Sequence, residues 1–179
     1  MTHEAVPPEH VPADEHIVYR PATIEDSSAL AELRWDFHLE DYPGSAAPSE
    51  RPLFIEACTL WIRHRLALST WTVWVAEDRA TGTIVSQVFV NLVDKVPRPG
   101  RLVDQYGYAS NIYTRPEWRS RGVGSRLMEW VKWWALGADL AFLLVWPAEA
   151  AREFYADLGF VPEGQAINLL LRPEASPEQ

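Results

Sequence analysis

Cysteine is nearly absent. Cys58 stands alone in 179 residues, which excludes an internal disulfide and a cysteine-rich zinc site. Basic residues are outnumbered, 16 Lys and Arg against 25 Asp and Glu, for a net charge of −9. General attraction to nucleic acid or to an anionic membrane surface needs a basic face and is therefore not expected. No apolar run approaches the ~18–20 residues of a membrane span. The start, MTHEAVPPEHVPADEH, has no basic region followed by an apolar stretch, so no secretory leader is expected. No internal repeat occurs at solenoid or propeller periods. What is present is apolar content, 47%, ample for the core of one domain. A soluble, cytoplasmic protein is the expectation.

Residues 1–16 are rich in proline, acid and histidine and read as a flexible arm. His3, His10 and His16 lie there at spacings that fit no ordered metal site, and no metal is expected. Ile17 to Arg20 reads as a strand. Thr23-Ile24-Glu25-Asp26 resembles a capping box, followed by Leu30, Leu33 and Phe37 at helical spacing. Tyr42-Pro43-Gly44 should end that helix. Ser49 is placed to cap a second helix, whose inward face would carry Phe54, Ala57, Cys58, Trp61, Arg65 and Leu68; Cys58 then reads as a core thiol. Trp71 to Glu77 and Thr83 to Val93 form a hairpin about Ala80-Thr81-Gly82.

A strand at Tyr106–Thr114 comes next. The helix at 122–137 carries Val123, Leu127, Trp130, Val131, Trp134 and Ala135 inward, with Gly137 as its stop. Ala141 to Trp146 is a continuous apolar run suited to a buried strand. Ala151, Phe154, Tyr155 and Leu158 mark a short helix stopped by Gly159. Gln165 to Arg172 reads as a final strand, and 173–179 as a tail. Strand, helix and strand over 106–146 make a right-handed βαβ unit with parallel strands. With the hairpin before it, the sheet is mixed and the class is α/β or mixed α+β. Ligands are expected at the carboxyl ends of the parallel pair.

The turn opening the long helix reads Arg119-Ser120-Arg121-Gly122-Val123-Gly124. Glycines there let successive N–H groups face one ligand, and the helix start adds its positive dipole end, a combination suited to phosphate or pyrophosphate. Between Arg115 and Arg126 four arginines stand against one acid, Glu117. A plain glycine-rich turn with solvated arginines is the alternative. The loop is no P-loop, since Ser125-Arg126 stands where Lys-Ser/Thr is needed. It is no dinucleotide fingerprint either, since position 127 is Leu.

Asn111-Ile112-Tyr113-Thr114-Arg115-Pro116 through Gly124 resembles the signature of the GNAT superfamily of acyl-CoA-dependent N-acetyltransferases: an apolar strand, a proline, then Gln/Arg-x-x-Gly-x-Gly/Ala opening a helix. Phe154-Tyr155-Ala156-Asp157-Leu158-Gly159-Phe160 resembles a second family element at the right distance. The likeness runs from about residue 17 to 172, a single GNAT domain. It implies a mixed central sheet with parallel strands four and five splayed apart, flanked by helices. It also implies acetyl-CoA as cosubstrate. Its pantetheine arm would lie along Ile112 and Thr114. Its pyrophosphate would lie on N–H groups of Arg119, Ser120, Arg121, Gly122, Val123, Gly124 and Ser125. An N–H near Asn111 or Ile112 would polarise the thioester. Arg121 and Arg126 are either side-chain contacts or solvated. Many family members have an asparagine seven residues before the tyrosine; here that position is Ala148.

The implied reaction is direct attack of an amine on the thioester in a ternary complex, with Tyr155 as the acid for the departing thiolate. A tyrosine merely packed in the core is the alternative. Candidates for the base are Glu40, Asp41, Asp104, Tyr106 and Tyr108; His38 and His64 read as surface or packing residues. Residues 36–50 hold Asp36, Glu40, Asp41 and Glu50 and no lysine or arginine, so Glu40 and Asp41 are expected on the acceptor side, facing a cation. Nine tryptophans are many for this length and should mostly be core. Any left exposed would line an apolar acceptor pocket or a subunit interface, the latter implying a homodimer. A non-catalytic acyl-CoA-binding module is the competing class, and a phosphotransferase a weaker third.

Overall fold

The computed structural model describes residues 15–162. The sequence readings for residues 1–14, the strand at Gln165–Arg172 and the tail at 173–179 lie outside the described residues. The elements are β1 (Ile17–Pro21), α1 (Ser27–Asp41), α2 (Arg51–Ala67), β2 (Trp71–Asp78), β3 (Thr83–Asp94), β4 (Gln105–Thr114), α3 (Val123–Gly137), β5 (Leu143–Leu144) and α4 (Arg152–Asp157). The strands lie in the order β1-β2-β3-β4-β5. The first four are antiparallel neighbours, and β4 and β5 are parallel, the mixed α+β arrangement expected.

Both faces of the sheet are covered, which is why β3 is buried without a break from Ile84 to Val90, Ser86 and Gln87 included, and shows no alternation of buried and exposed residues. On one face Trp74, Val88, Val90 and Ala109 meet Leu127, Met128 and Val131 of α3. On the other, Val73, Val75, Ile84 and Phe89 meet Leu30 and Leu33 of α1 and Ile62 of α2. Leu127 is fully buried, and its truncation to alanine should cost about 2–5 kcal/mol. The start of α1 is pinned to the sheet by Arg20 of β1, which donates to both carboxylate oxygens of Asp26 at 2.7 and 2.9 Å and to Glu77 at 2.8 Å. The backbone N–H of Thr23 also donates to Asp26, at 2.7 Å, closing the turn that the capping-box pattern foretold.

A bulge in β4 sets the site. Phe89 pairs with Ser110 and Gln87 with Tyr113, so Asn111 and Ile112 both stand opposite Val88. Asn111 takes the left-handed conformation, φ +49°. The extra residue switches the strand's facing, and Ala109 and Ile112 both pack on the α3 side.

Several sequence expectations are corrected. α2 turns Phe54, Ile55, Cys58, Ile62 and Leu66 inward, whereas Ala57, Trp61 and Leu68 are exposed. Apolar residues surround this helix on all sides, Leu53 and Leu60 included, so spacing could not choose the face. Ser49 is not its cap; Pro48–Glu50 form a 3-10 turn and Glu50 takes the cap position. The run at 141–146 yields only a two-residue strand, with Phe142 and Trp146 exposed. Gly137 is the last residue of α3, and the left-handed turn falls on Asp139. Of the nine tryptophans only Trp35 and Trp74 are buried.

Candidate functional site

β4 and β5 pair only at Gly107–Leu143 and Tyr108–Leu144. Beyond Tyr108 the strands part, and a cavity of about 680 Å³ opens between them. Residues 108–114 form one wall and residues 145–148 the other. Just past the last pairing, the rings of Tyr108 and Trp146 meet across the gap at 4.9 Å. Ala148 lines the second wall and offers only a methyl group where an asparagine amide would reach in.

At one end of the gap stands the start of α3. Gly122 is its N-cap at φ +76°, a conformation that costs a residue with a Cβ, and no side chain caps the helix. The N–H of Arg126 donates to the Gly122 carbonyl at 3.0 Å. The N–H groups ahead of it in the first turn have no intrahelical acceptor. Ser120, also left-handed at φ +57°, precedes them, and Ser120, Gly122, Val123, Gly124 and Ser125 all line the gap. Such alternation of hand makes a concavity of N–H groups suited to an anion. Gly124 lies so close to β4 that a Cβ would sit 3.0 Å from Thr114 Oγ1, which is itself hydrogen-bonded to Ser86 Oγ at 2.8 Å.

The arginines of this segment are mostly engaged elsewhere. Arg119 forms a two-pronged pair with Glu40 at 2.7 and 2.8 Å, donates to the Thr114 carbonyl at 2.8 Å and lies over the Tyr113 ring. Its backbone N–H donates to Pro116, so the open N–H groups begin at Ser120. Arg115 pairs with Asp36 at 3.3 Å. Arg121 lies over Trp118 and forms no ion pair with a described residue. The acids at the end of α1 therefore offset part of the loop's positive charge.

α4 brings Tyr155 to the same gap, its ring packed edge-on against Phe154 and Phe160. Burial pushes its phenol up to about 12, so the hydroxyl stays protonated through the neutral range. That hydroxyl bonds no described residue. Packing and exposure to the gap coexist at this residue.

A second cavity, about 280 Å³, joins the first along Phe37, Tyr108, Ser110 and Asn111. It lies under α1 and α2, and Phe54, Trp61, Trp71 and Phe89 make it aromatic. Arg34 is the one charged residue among the described residues that line it. The Asn111 side-chain oxygen is buried at the junction without a hydrogen-bond partner. The surplus of tryptophan raised an apolar pocket or a subunit interface in the sequence without placing either; Trp61 and Trp71, two of the nine, line this pocket.

Glu40 and Asp41 both line the gap but differ in state. Hydrogen bonds from Arg119 hold the Glu40 carboxyl below the usual range. Burial, with the charge of Glu40, raises that of Asp41. Asp104 lies at the far end of β4 among Lys95, Arg98 and Arg101, and Tyr106 stacks on Phe142; neither lines either cavity. Tyr108 lines both, and burial raises its phenol. His38 bonds Ser45 at 3.0 Å, and burial raises the Cys58 thiol. Among the described residues no three His, Cys, Asp or Glu side chains gather as a metal site requires. No described helix is long and apolar enough to cross a membrane.

A family model for the acetyltransferase (GNAT) domain matches residues 69–162, more than half of the chain. No curated protein matches. Among solved structures, the chain resembles a predicted acetyltransferase with acetyl-CoA from Clostridium acetobutylicum: 20% identity over 87% of this chain and 96% of that one, TM-score 0.71. A GCN5-related N-acetyltransferase from Ralstonia eutropha aligns at 23% identity over 86% and 98%, TM-score 0.67. Glucosamine-6-phosphate N-acetyltransferase from Arabidopsis thaliana aligns at 15% over 88% and 100%, TM-score 0.63. At these identities the likeness is one of fold.

Proposed function

The chain belongs to the GNAT acetyltransferase family, and on that premise we propose that it moves the acetyl group of acetyl-CoA to a primary amine of a small molecule or peptide. The observation that carries the proposal is the gap itself: parting parallel strands, an uncapped helix start at one end, and in the wall a protonated tyrosine hydroxyl that bonds no described residue. The pantetheine arm takes the edge of β4 that β5 has left, along Ile112 and Thr114. The pyrophosphate takes the N–H groups from Ser120 to Ser125.

The amine nitrogen attacks the acetyl carbon in a ternary complex. A C–N bond forms, the C–S bond breaks, and the oxyanion formed on the way is stabilised by an N–H at the β4 bulge, near Asn111 or Ile112. The nitrogen must lose a proton. Asp41, less tightly held than Glu40, is the acid of the gap suited to take it directly or through water. The thiolate leaves beside the Tyr155 hydroxyl, which donates to the sulfur.

The test is a panel of primary amines with acetyl-CoA, following free CoA thiol and the mass of the acetylated amine together. Both should appear in equal amounts. Tight acetyl-CoA binding with no turnover on any amine would replace the transferase by an acyl-CoA-binding module.

A further inference from the structure

The aromatic cavity and its lone cation define the acceptor more closely. Arg34 sits on α1 one turn before Phe37 and two turns before Asp41, so all three share one helix face. Phe37 and Arg34 line the small cavity, while Phe37 and Asp41 line the gap. The Arg34 guanidinium lies 5.5 Å from the Phe37 ring centroid and forms no ion pair or hydrogen bond with a described residue. Asp41 feels its charge but does not bond it. Among the described residues no acid lines the small cavity, and the one charge there is positive. At about 280 Å³ it is at the small end of ligand sites, the size for one aromatic ring system. At the junction the buried Asn111 oxygen can accept one hydrogen bond, and an amine N–H is a donor that would supply it.

We infer that the acceptor is an amine with an aromatic-sized apolar body and an acidic group: the body fills the pocket of Phe54, Trp61, Trp71 and Phe89, the acid meets Arg34, and the amine is held at Asn111 facing the gap. This rests on the acetyl-transfer reading of the same site. Guanidinium suits a carboxylate because its donors form a planar fork matching two oxygens. Of the two acids of the gap, Glu40 is paired with Arg119, which leaves Asp41 for the amine. The ligand is thus zwitterionic, its cationic end at the acidic mouth and its anionic end at Arg34. Transfer joins its nitrogen to the acetyl carbon and releases CoA as thiol, with no further reactant.

The experiment is calorimetric binding to the protein saturated with CoA, using matched pairs: tryptophan against tryptamine, and phenylalanine against phenethylamine, with alanine as the control for the apolar body. Wild type should bind the carboxylate member about 10–100-fold tighter than its amine partner, the range expected for a hydrogen bond to a charged group. It should also bind tryptophan tighter than alanine. Arg34→Gln should bring the ratio within each pair close to one, and Arg34→Lys should keep part of it. Equal or tighter binding of tryptamine by wild type, or a ratio unchanged in Arg34→Gln, overturns the inference. The wild-type ratio decides alone if Arg34→Gln does not fold. Preferential binding of the acidic member without acetylation of any amine would leave this inference standing and sink the transfer reading. Acetylation with no preference would do the reverse.

Discussion

Removing only the hydroxyl of Tyr155 separates its two roles. Tyr155→Phe keeps the ring against Phe154 and Phe160, so fold and acetyl-CoA affinity should survive. The magnitude follows from the raised phenol. Burial holds Tyr155 at about 12, above an ordinary thiol at about 8.5, so full proton transfer to the thiolate is uphill. Tyr155 therefore stabilises the departing sulfur mainly as a hydrogen-bond donor, with the proton passing late. A donor to a developing charge in a dry site contributes about 2.7–4 kcal/mol, or about 10²–10³ in kcat. The assay is single-turnover acetyl transfer, so that product release does not hide chemistry, with circular dichroism for folding. A donor thioester with a more acidic thiol should narrow the deficit, because its thiolate needs less stabilisation. The rate should also show no loss from phenol ionisation as pH passes 10, since the acid form persists below its raised value. A folded Tyr155→Phe at wild-type single-turnover rate would reduce Tyr155 to a packing residue.

Other perturbations follow from the same geometry. Gly124→Glu puts bulk against Thr114 and a negative charge at the anion cradle, so the acetyl-CoA Kd should rise more than about 10-fold by calorimetry, an unchanged Kd refuting the cradle. Asp41→Asn should lower kcat by about 10²-fold or more, as loss of a proton acceptor does, raise the acceptor KM and leave acetyl-CoA affinity nearly unchanged. Glu40→Gln should differ from it: it releases Arg119 and removes an acid beside the loop, so acetyl-CoA should bind several-fold tighter at low salt, the gain fading as salt rises. Because the folded Glu40 carboxyl is held low, its pair with Arg119 adds stability above the ordinary carboxylate range and loses it as pH falls through the lowered value. Any Tm deficit of Glu40→Gln at pH 7 should therefore vanish in acid. Gln87 is fully buried with both amide atoms unpartnered among the described residues, and each such group costs about 1–3 kcal/mol, so Gln87→Met should raise Tm by about 2–4 °C per kcal/mol recovered. A lower Tm would show that the amide is satisfied.

The sequence carried the parts of the fold that rest on local chemistry. The α3 stripe, the hairpin about Gly82 and the breaker after Asp41 are signals of spacing and turn residues, and each element formed where they pointed. The glycine turn that opens α3 was legible because the left-handed N-cap at Gly122 favours glycine whatever the side chains around it. Ion pairing was not legible. Glu40 and Arg119 are far apart in sequence, and only the packing of α1 against the end of β4 brings them together. The face of α2 was hidden because its apolar residues surround it. The place of the aromatic pocket was hidden because Trp61 and Trp71 come from different elements and meet, at 5.3 Å, only in the fold. The bulge at Asn111 left no mark either, since asparagine in a strand does not announce a left-handed conformation.

The most direct measurement is a crystal structure with acetyl-CoA bound. It should place the pantetheine arm along β4 between Tyr108 and Thr114, and the pyrophosphate within about 3.2 Å of N–H groups from Ser120 to Ser125. The Tyr155 hydroxyl should lie within about 3.5 Å of the sulfur, with the acetyl carbon facing Asn111 and the aromatic pocket. Acetyl-CoA seated outside the gap, or a sulfur out of reach of Tyr155 and beside another donor, would contradict the account.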